Sequence, residues 1–218
     1  MTTDAVPLGP RSIAMLAAAA IASLVAFAWP LVLPPSGPMD PLLAPTVFAL
    51  ILPLVLAVVL AELSSHSLDV KGLALLGVLS AVGAILRPLG AGTAGLEPFF
   101  FLLVLGGRVF GPGFGFAQGA VTLAASALLT GGVGPWLPYQ MLAAGFLGLG
   151  AGLLPRCRGA WELAVLAAYS LVLGFAYGWA MDFAFWPFGI GPATQFSFDP
   201  AAGPLGNLHT FLLYNLAT

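Results

Sequence analysis

An all-α, polytopic membrane helical bundle is what this sequence predicts, from three observations: long apolar stretches, very little charge, and Gly/Pro clusters bounding each stretch. Of 218 residues 60% are hydrophobic and 6% charged, with a mean hydropathy of +1.05. A globular domain carries roughly 25% charged residues. The stretches are continuous and rich in Leu and Ala, whereas strands of a membrane barrel would alternate apolar and polar residues over about ten positions. A net charge of −2 with no basic run gives no sign of nucleic-acid binding. His66 and His209 stand far apart without the spacing of metal ligands, so neither a metal nor a cofactor is expected. Cys157 is the only cysteine, which excludes an intrachain disulfide; between Arg156 and Arg158 it reads as a small residue in a basic connection.

The first apolar segment covers residues 12–33. Arg11 ahead of it and Ala26-Phe27-Ala28 within it imitate a signal peptide, but the following Trp29-Pro30 would be a poor cleavage substrate, so it reads as a retained span. Further segments follow at 44–63, 72–86, 98–105, 115–129, 139–154 and 161–186. The third should close at Arg87-Pro88, because the residue before a proline is pushed out of helical geometry. A last segment opens near Leu208 and reaches Thr218 after about ten residues, half of the twenty or so that cross 30 Å of hydrocarbon. The expectation is therefore a truncated last helix and a natural chain that continues.

Strict alternation with a cytoplasmic N-terminus puts Arg11, Lys71, Arg108, Arg156 and Arg158 inside and only Arg87 outside, as the positive-inside rule asks of a multi-pass cell-membrane protein. The outer loops at 34–45, 88–97, 131–138 and 187–207 then gather Asp40, Arg87, Glu97, Trp136, Gln195 and Asp199. Between Arg87 and Gln140, Gly/Pro clusters interrupt the apolar runs and hold an arginine, a glutamate, a tryptophan and a glutamine. Irregular backbone at membrane depth survives only where protein or a watered cavity surrounds it, so an outward-facing pocket is expected there.

Ionisable groups in that zone cost at least about 2.5–3.5 kcal/mol and usually pair or line a water path. Arg87 and Glu97 read equally as contacts for a polar substrate group or as charges that snorkel to the interface or pair with each other, whereas Arg108 reads as structural. Phe99, Phe100, Tyr139, Tyr177, Trp179 and Trp186 supply aromatic surface, either as an interfacial belt or as pocket walls. Trp136-Leu137-Pro138-Tyr139-Gln140 fits the wall reading best, since it sets a tryptophan and an amide around a proline where a helix restarts. Small residues recur at four-residue spacing in Gly77/Ala81, Ser80/Ala84 and Ala144/Gly148/Gly152, smooth stripes that admit close helix approach within the chain or to a partner. No Walker lysine loop, HExxH or GxSxG occurs. Glu62, His66 and Asp69 form the only dense polar cluster, and they keep open an alternative of another class: a membrane-embedded enzyme acting on a lipid or isoprenoid.

Arg87-Pro88-Leu89-Gly90, the run from Gly106 to Gly115, Gly131-Gly132-Val133-Gly134-Pro135-Trp136 and Gln140-Met141-Leu142-Ala143 resemble, in order and spacing, the substrate-specific (S) components of energy-coupling factor (ECF) vitamin transporters. The actinobacterial type, with two extra N-terminal helices, is the most similar. The resemblance implies an N-terminal region at 1–70 carrying those two helices and a six-helix core at 71–218. It implies a non-enzymatic subunit that captures a micronutrient outside, docks on a transmembrane coupling protein driven by two ATPase subunits, and topples within the membrane lipid to release its ligand. A corrinoid such as cobalamin is the first expected substrate. Arg87, Glu97 or Asp182 would meet its polar groups, with Phe99, Phe100, Trp136, Tyr139, Gln140 and Trp186 as walls. Gly77, Ser80, Ala81 and Ala84 would touch the coupling protein, Gly77, Ala81 and Ala84 standing where the family carries Ala-x-x-x-Ala.

Overall fold

The structure, a computed structural model, describes residues 10–32, 43–64, 70–90, 97–189 and 195–217. Among them the chain is an all-α bundle: α1 (Pro10–Val32), α2 (Leu43–Ser64), α3 (Val70–Gly90), α4 (Phe99–Phe110), α5 (Pro112–Thr130), α6 (Leu137–Leu153), α7 (Ala160–Gly189), a single 3-10 turn (Pro200–Ala202) and α8 (Gly203–Ala217). Val70–Gly90, Pro112–Thr130 and Ala160–Phe183 are long and apolar enough to cross a membrane. At 12 and 17 residues, α4 and α6 span about 18 and 26 Å, short of the 30 Å of a bilayer core.

Several boundaries differ from the sequence expectation. α3 runs through Arg87-Pro88 to Gly90, because a proline in the last turn forfeits a single backbone bond and leaves the preceding turns intact. α4 continues through Gly106-Gly107-Arg108 to Phe110, so Arg108 is helical and not in a loop. One residue, Gly111 at φ 105° and ψ 169°, separates it from α5. That backbone conformation strains any residue with a Cβ, and Pro112 directly after it suits the first helical position. α8 opens at Gly203, five residues before Leu208. Asp199 caps the 3-10 turn ahead of it by accepting the Ala201 N–H at 2.8 Å, and Asn207 Nδ2 of α8 donates back to the Asp199 carbonyl at 2.7 Å.

Burial ranks the helices. The apolar window of α5 is 67% buried, that of α3 22%, and that of α7 0%, so α5 is the central rod and the other two are peripheral. α4 and α6 pack on one side of α5 and α3 on another, while α1 and α2 pair and lean on α5, α6 and α7. Leu16, Ala19, Val55 and Val58 join Phe99, Phe116 and Leu142 in one continuous core, which ties the two N-terminal helices to the rest.

What brings α4, α5 and α6 together is the absence of side chains. A Cβ on Gly107 or Gly115 would strike the Gly148 carbonyl, one on Gly119 the Ala144 carbonyl, and one on Gly152 the Pro112 backbone. The stripe Ala144/Gly148/Gly152 is therefore spent inside the chain. Close backbone approach multiplies van der Waals contacts, the main adhesive between helices when lipid is as apolar as the core. By contrast, a Cβ on Gly77 meets nothing within 4 Å.

The far end of the bundle is clamped by charge. Arg108 Nε and Nη2 donate to the two Glu162 carboxylate oxygens at 2.6 and 2.8 Å, while Nη1 and Nη2 reach the Leu154 and Pro155 carbonyls at 2.6 and 3.0 Å. Glu162 Oε2 also accepts the Cys157 N–H at 2.9 Å. One guanidinium thus joins the end of α4, the carbonyls ending α6 and the start of α7. The ion pair of Arg108 is with Glu162, a structural role.

Gly148→Ala should lower stability by about 1–3 kcal/mol, the usual cost of overpacking a close contact, whereas Gly77→Ala should be neutral or stabilising by up to about 1 kcal/mol through helix propensity. Unfolding midpoints of the two variants in one detergent check this; equal midpoints would contradict the assignment of the seam.

Candidate functional site

The opposite end gathers polar groups from four elements. Arg87 in the last turn of α3 donates from Nη2 to Oε1 of Gln140, in the first turn of α6, at 3.2 Å. Glu97, on the connection entering α4, faces the same guanidinium across a longer gap. Tyr177 of α7 lies within electrostatic reach of both charges, yet its hydroxyl makes no hydrogen bond of good geometry. Arg87 Nε, Glu97 Oε2 and Tyr177 Oη are all buried atoms without a partner among the described residues. Phe100 walls the group, its ring 5.1 Å from that of Tyr177 in an edge-on contact, and Phe99 packs behind it with ring centroids 4.5 Å apart.

Tyr177 has a second face. With Ser23, Phe27, Phe146, Leu147 and Leu173 it lines a cleft of about 380 Å³ between α1, α6 and α7. Ser23 Oγ is committed to the Ala19 carbonyl at 2.6 Å, so the walls of the cleft are almost wholly apolar. Tyr177 belongs to that wall, while its hydroxyl is buried and borders the Arg87–Glu97 group.

Of the residues expected at a site, the fold brings together Arg87, Glu97, Phe99, Phe100 and Gln140. Tyr139 is 4% exposed and packs edge-on against Phe27 at 5.2 Å, which places it behind the cleft wall. Trp136 stands apart: it is 43% exposed and closes its own loop, its Nε1–H donating to the Gly132 carbonyl at 3.1 Å. Trp186 is buried where α7 meets α8, donating to the Phe196 carbonyl at 2.8 Å and packing on Phe198 and Phe211. Asp182 is exposed on α7 and interacts with none of the charges of the group. The stripe on α3 divides, with Gly77 and Ala81 exposed but Ser80 and Ala84 buried. The four positions, at i, i+3, i+4 and i+7, fall within an arc of about 100°, and the edge of the bundle runs through that arc, covering the Ser80/Ala84 side and leaving the Gly77/Ala81 side open. Glu62 lies in α2, but its side chain, His66 and Asp69 are outside the described residues, as is Asp40.

Two features escaped the sequence reading. Tyr177 was read only as aromatic surface, of a belt or of a pocket wall, although a tyrosine deep in an apolar run needs a partner for its hydroxyl. A polar row also runs along α5: Gln118, Thr122 and Ser126 at four-residue spacing, each 0% exposed. Gln118 Nε2 donates to the Leu102 carbonyl at 3.1 Å, and Gly106 leaves room for its side chain. The Thr122 and Ser126 hydroxyls, and that of buried Ser80 on α3, have no partner among the described residues. Their spacing on one helix face was the available signal.

No protein-family model, curated protein or solved structure matches this chain.

Two outcomes follow from the unpartnered groups. Thr122→Val keeps the shape and deletes an unsatisfied hydroxyl, so it should leave the unfolding midpoint unchanged or raise it; a marked loss would mean that the hydroxyl has a partner. Burial pushes the Glu97 carboxyl above the ordinary carboxylate value of 4.5, and Arg87 offsets part of that rise. Folding then favours the protonated form, so the contribution of Glu97 to stability is present at low pH and lost as pH climbs through the raised value. Glu97→Gln, neutral throughout, should gain stability relative to the parent as pH rises above 4.5; parallel midpoint-against-pH curves would contradict this.

Proposed function

We infer that this chain is the substrate-binding subunit of an ECF-type importer for a vitamin or related micronutrient, a multi-pass protein of the cell membrane with a cytoplasmic N-terminus. It captures its ligand at the Arg87–Glu97 end and has no catalytic step of its own. Transport energy comes from two partner ATPase subunits acting through a transmembrane coupling protein.

The observation that carries the reading is the convergence of Arg87, Glu97, Gln140 and Tyr177 at one end of an apolar bundle, with three of their buried polar atoms lacking a partner among the described residues. Polar groups buried without partners are costly, about 1–3 kcal/mol each, and a bound molecule with matching donors and acceptors removes that cost. Small-ligand sites have this composition, apolar walls with a few placed polar groups. The order of the Gly/Pro motifs from Arg87 to Gln140 supplies the link to S components. The exposed Gly77/Ala81 face of α3 leaves a smooth helix surface where the family meets its coupling protein.

Purification from the native membrane tests the reading. Two ATPases and a coupling protein should co-purify, and mass spectrometry of the denatured complex should release one small molecule in near-stoichiometric amount. Arg87→Ala and Gln140→Ala should lose that molecule while keeping the partners. Protein that carries neither a molecule nor ATPase partners would overturn the assignment.

A further inference from the structure

The polar group and the apolar cleft share Tyr177, and their chemistry restricts what fits across both. The full charges of Arg87 and Glu97 cancel, so an anionic head would meet Glu97 and a cationic head would meet Arg87. What is left unsatisfied among the described residues is mixed: a donor on Arg87 Nε, an acceptor on Glu97 Oε2, and the Tyr177 hydroxyl, which does both. A group that fills such a site offers at least one N–H or O–H and one oxygen while bearing no net charge. Beyond Tyr177, Phe27, Phe146 and Leu173 offer apolar surface around about 380 Å³, enough for a short hydrocarbon body and within the usual size of small-ligand pockets. A corrinoid macrocycle, ringed with amides, asks for more room and more polar partners than this cleft supplies.

We propose that the site takes a small amphipathic molecule, its neutral donor–acceptor head, of amide or urea type, seated among Arg87, Glu97, Gln140 and Tyr177 and its apolar body lying in the cleft between α1, α6 and α7. This names the substrate class of the site described above and so rests on the binding-subunit reading. The first N-terminal helix acquires a function from it, since α1 supplies one wall of the cleft through Ser23 and Phe27.

The test uses full-length protein in lipid nanodiscs and three photoactivatable decyl probes identical but for the head: carboxamide, carboxylate and trimethylammonium. The carboxamide should label saturably, at roughly tenfold lower concentration than the other two, the ratio expected when a hydrogen bond to a buried group is gained or lost. Its adducts should map to α1, α6 and α7 around Phe27, Phe146 and Leu173. Ala176→Leu, which fills the cleft with a good helix former, should abolish saturable labelling. Glu97→Gln, which removes the negative charge without changing the packing, should narrow the gap between carboxylate and carboxamide. Equal labelling by all three heads, or labelling that Ala176→Leu leaves unchanged, would identify the occupant as bulk lipid and overturn the proposal. The head-group comparison on unmodified protein decides even if a variant fails to fold. Because labelling needs no partner subunit, its failure is distinct from a failure to recruit ATPases.

Discussion

The arrangement depends on backbone meeting backbone among α4, α5 and α6. Gly107, Gly115, Gly119 and Gly148 bring peptide groups into direct contact where any Cβ would collide with a carbonyl. Once these three helices are locked, their ends are fixed as well. The start of α6 comes beside the end of α3 and the entry to α4, which is how Gln140, Arg87 and Glu97 meet although 53 residues separate the hydrogen-bonded pair. At the other end the same locking delivers Arg108 to Glu162 and to the final carbonyls of α6. Charge is therefore sorted to two ends and serves two purposes. One set is saturated with partners and holds helices together, and the other retains atoms without a partner among the described residues.

Saturation is the physical distinction between the two ends. Arg108 donates four hydrogen bonds, and a guanidinium so engaged has little left to offer a ligand. Arg87 donates to Gln140 and keeps Nε without a partner among the described residues. Two arginines of similar sequence setting, each beside Gly and Pro near the end of an apolar run, thus differ in what surrounds them and not in what they are. Tyr177 borders both the unsaturated end and the apolar cleft.

The helical class was legible in the sequence because hydropathy and continuity depend only on local composition, and the approximate segments followed. Their ends were harder. Pro88 looked like a stop but costs little in a last turn, and the glycines at 106 and 107 looked like a loop but are helical, Gly106 against the Gln118 side chain and Gly107 against the Gly148 carbonyl. A pattern of small residues does not reveal which neighbour it faces, so Ala144/Gly148/Gly152 and Gly77/Ala81 looked alike although one is sealed in the core and the other is open. For the site, Arg87, Glu97 and Gln140 were recognisable as polar groups near breaks in apolar runs. Tyr177 was not, since its membership rests on where a long helix crosses the others. Trp136 and Trp186 were read as walls from their chemistry, yet each spends its indole N–H on a nearby carbonyl.

The central claim is that the unsaturated end, with Arg87 and Gln140, faces outside and the clamped end faces the cytoplasm. Native Cys157 lies at the clamped end, where its N–H meets Glu162, and Val133, in the connection between α5 and α6, is exposed. Labelling intact cells that express Val133→Cys with a membrane-impermeant maleimide, followed by peptide mapping, reads both ends in one measurement. The account predicts modification at position 133 and none at Cys157 until the membrane is opened. Modification of Cys157 alone in intact cells would contradict it.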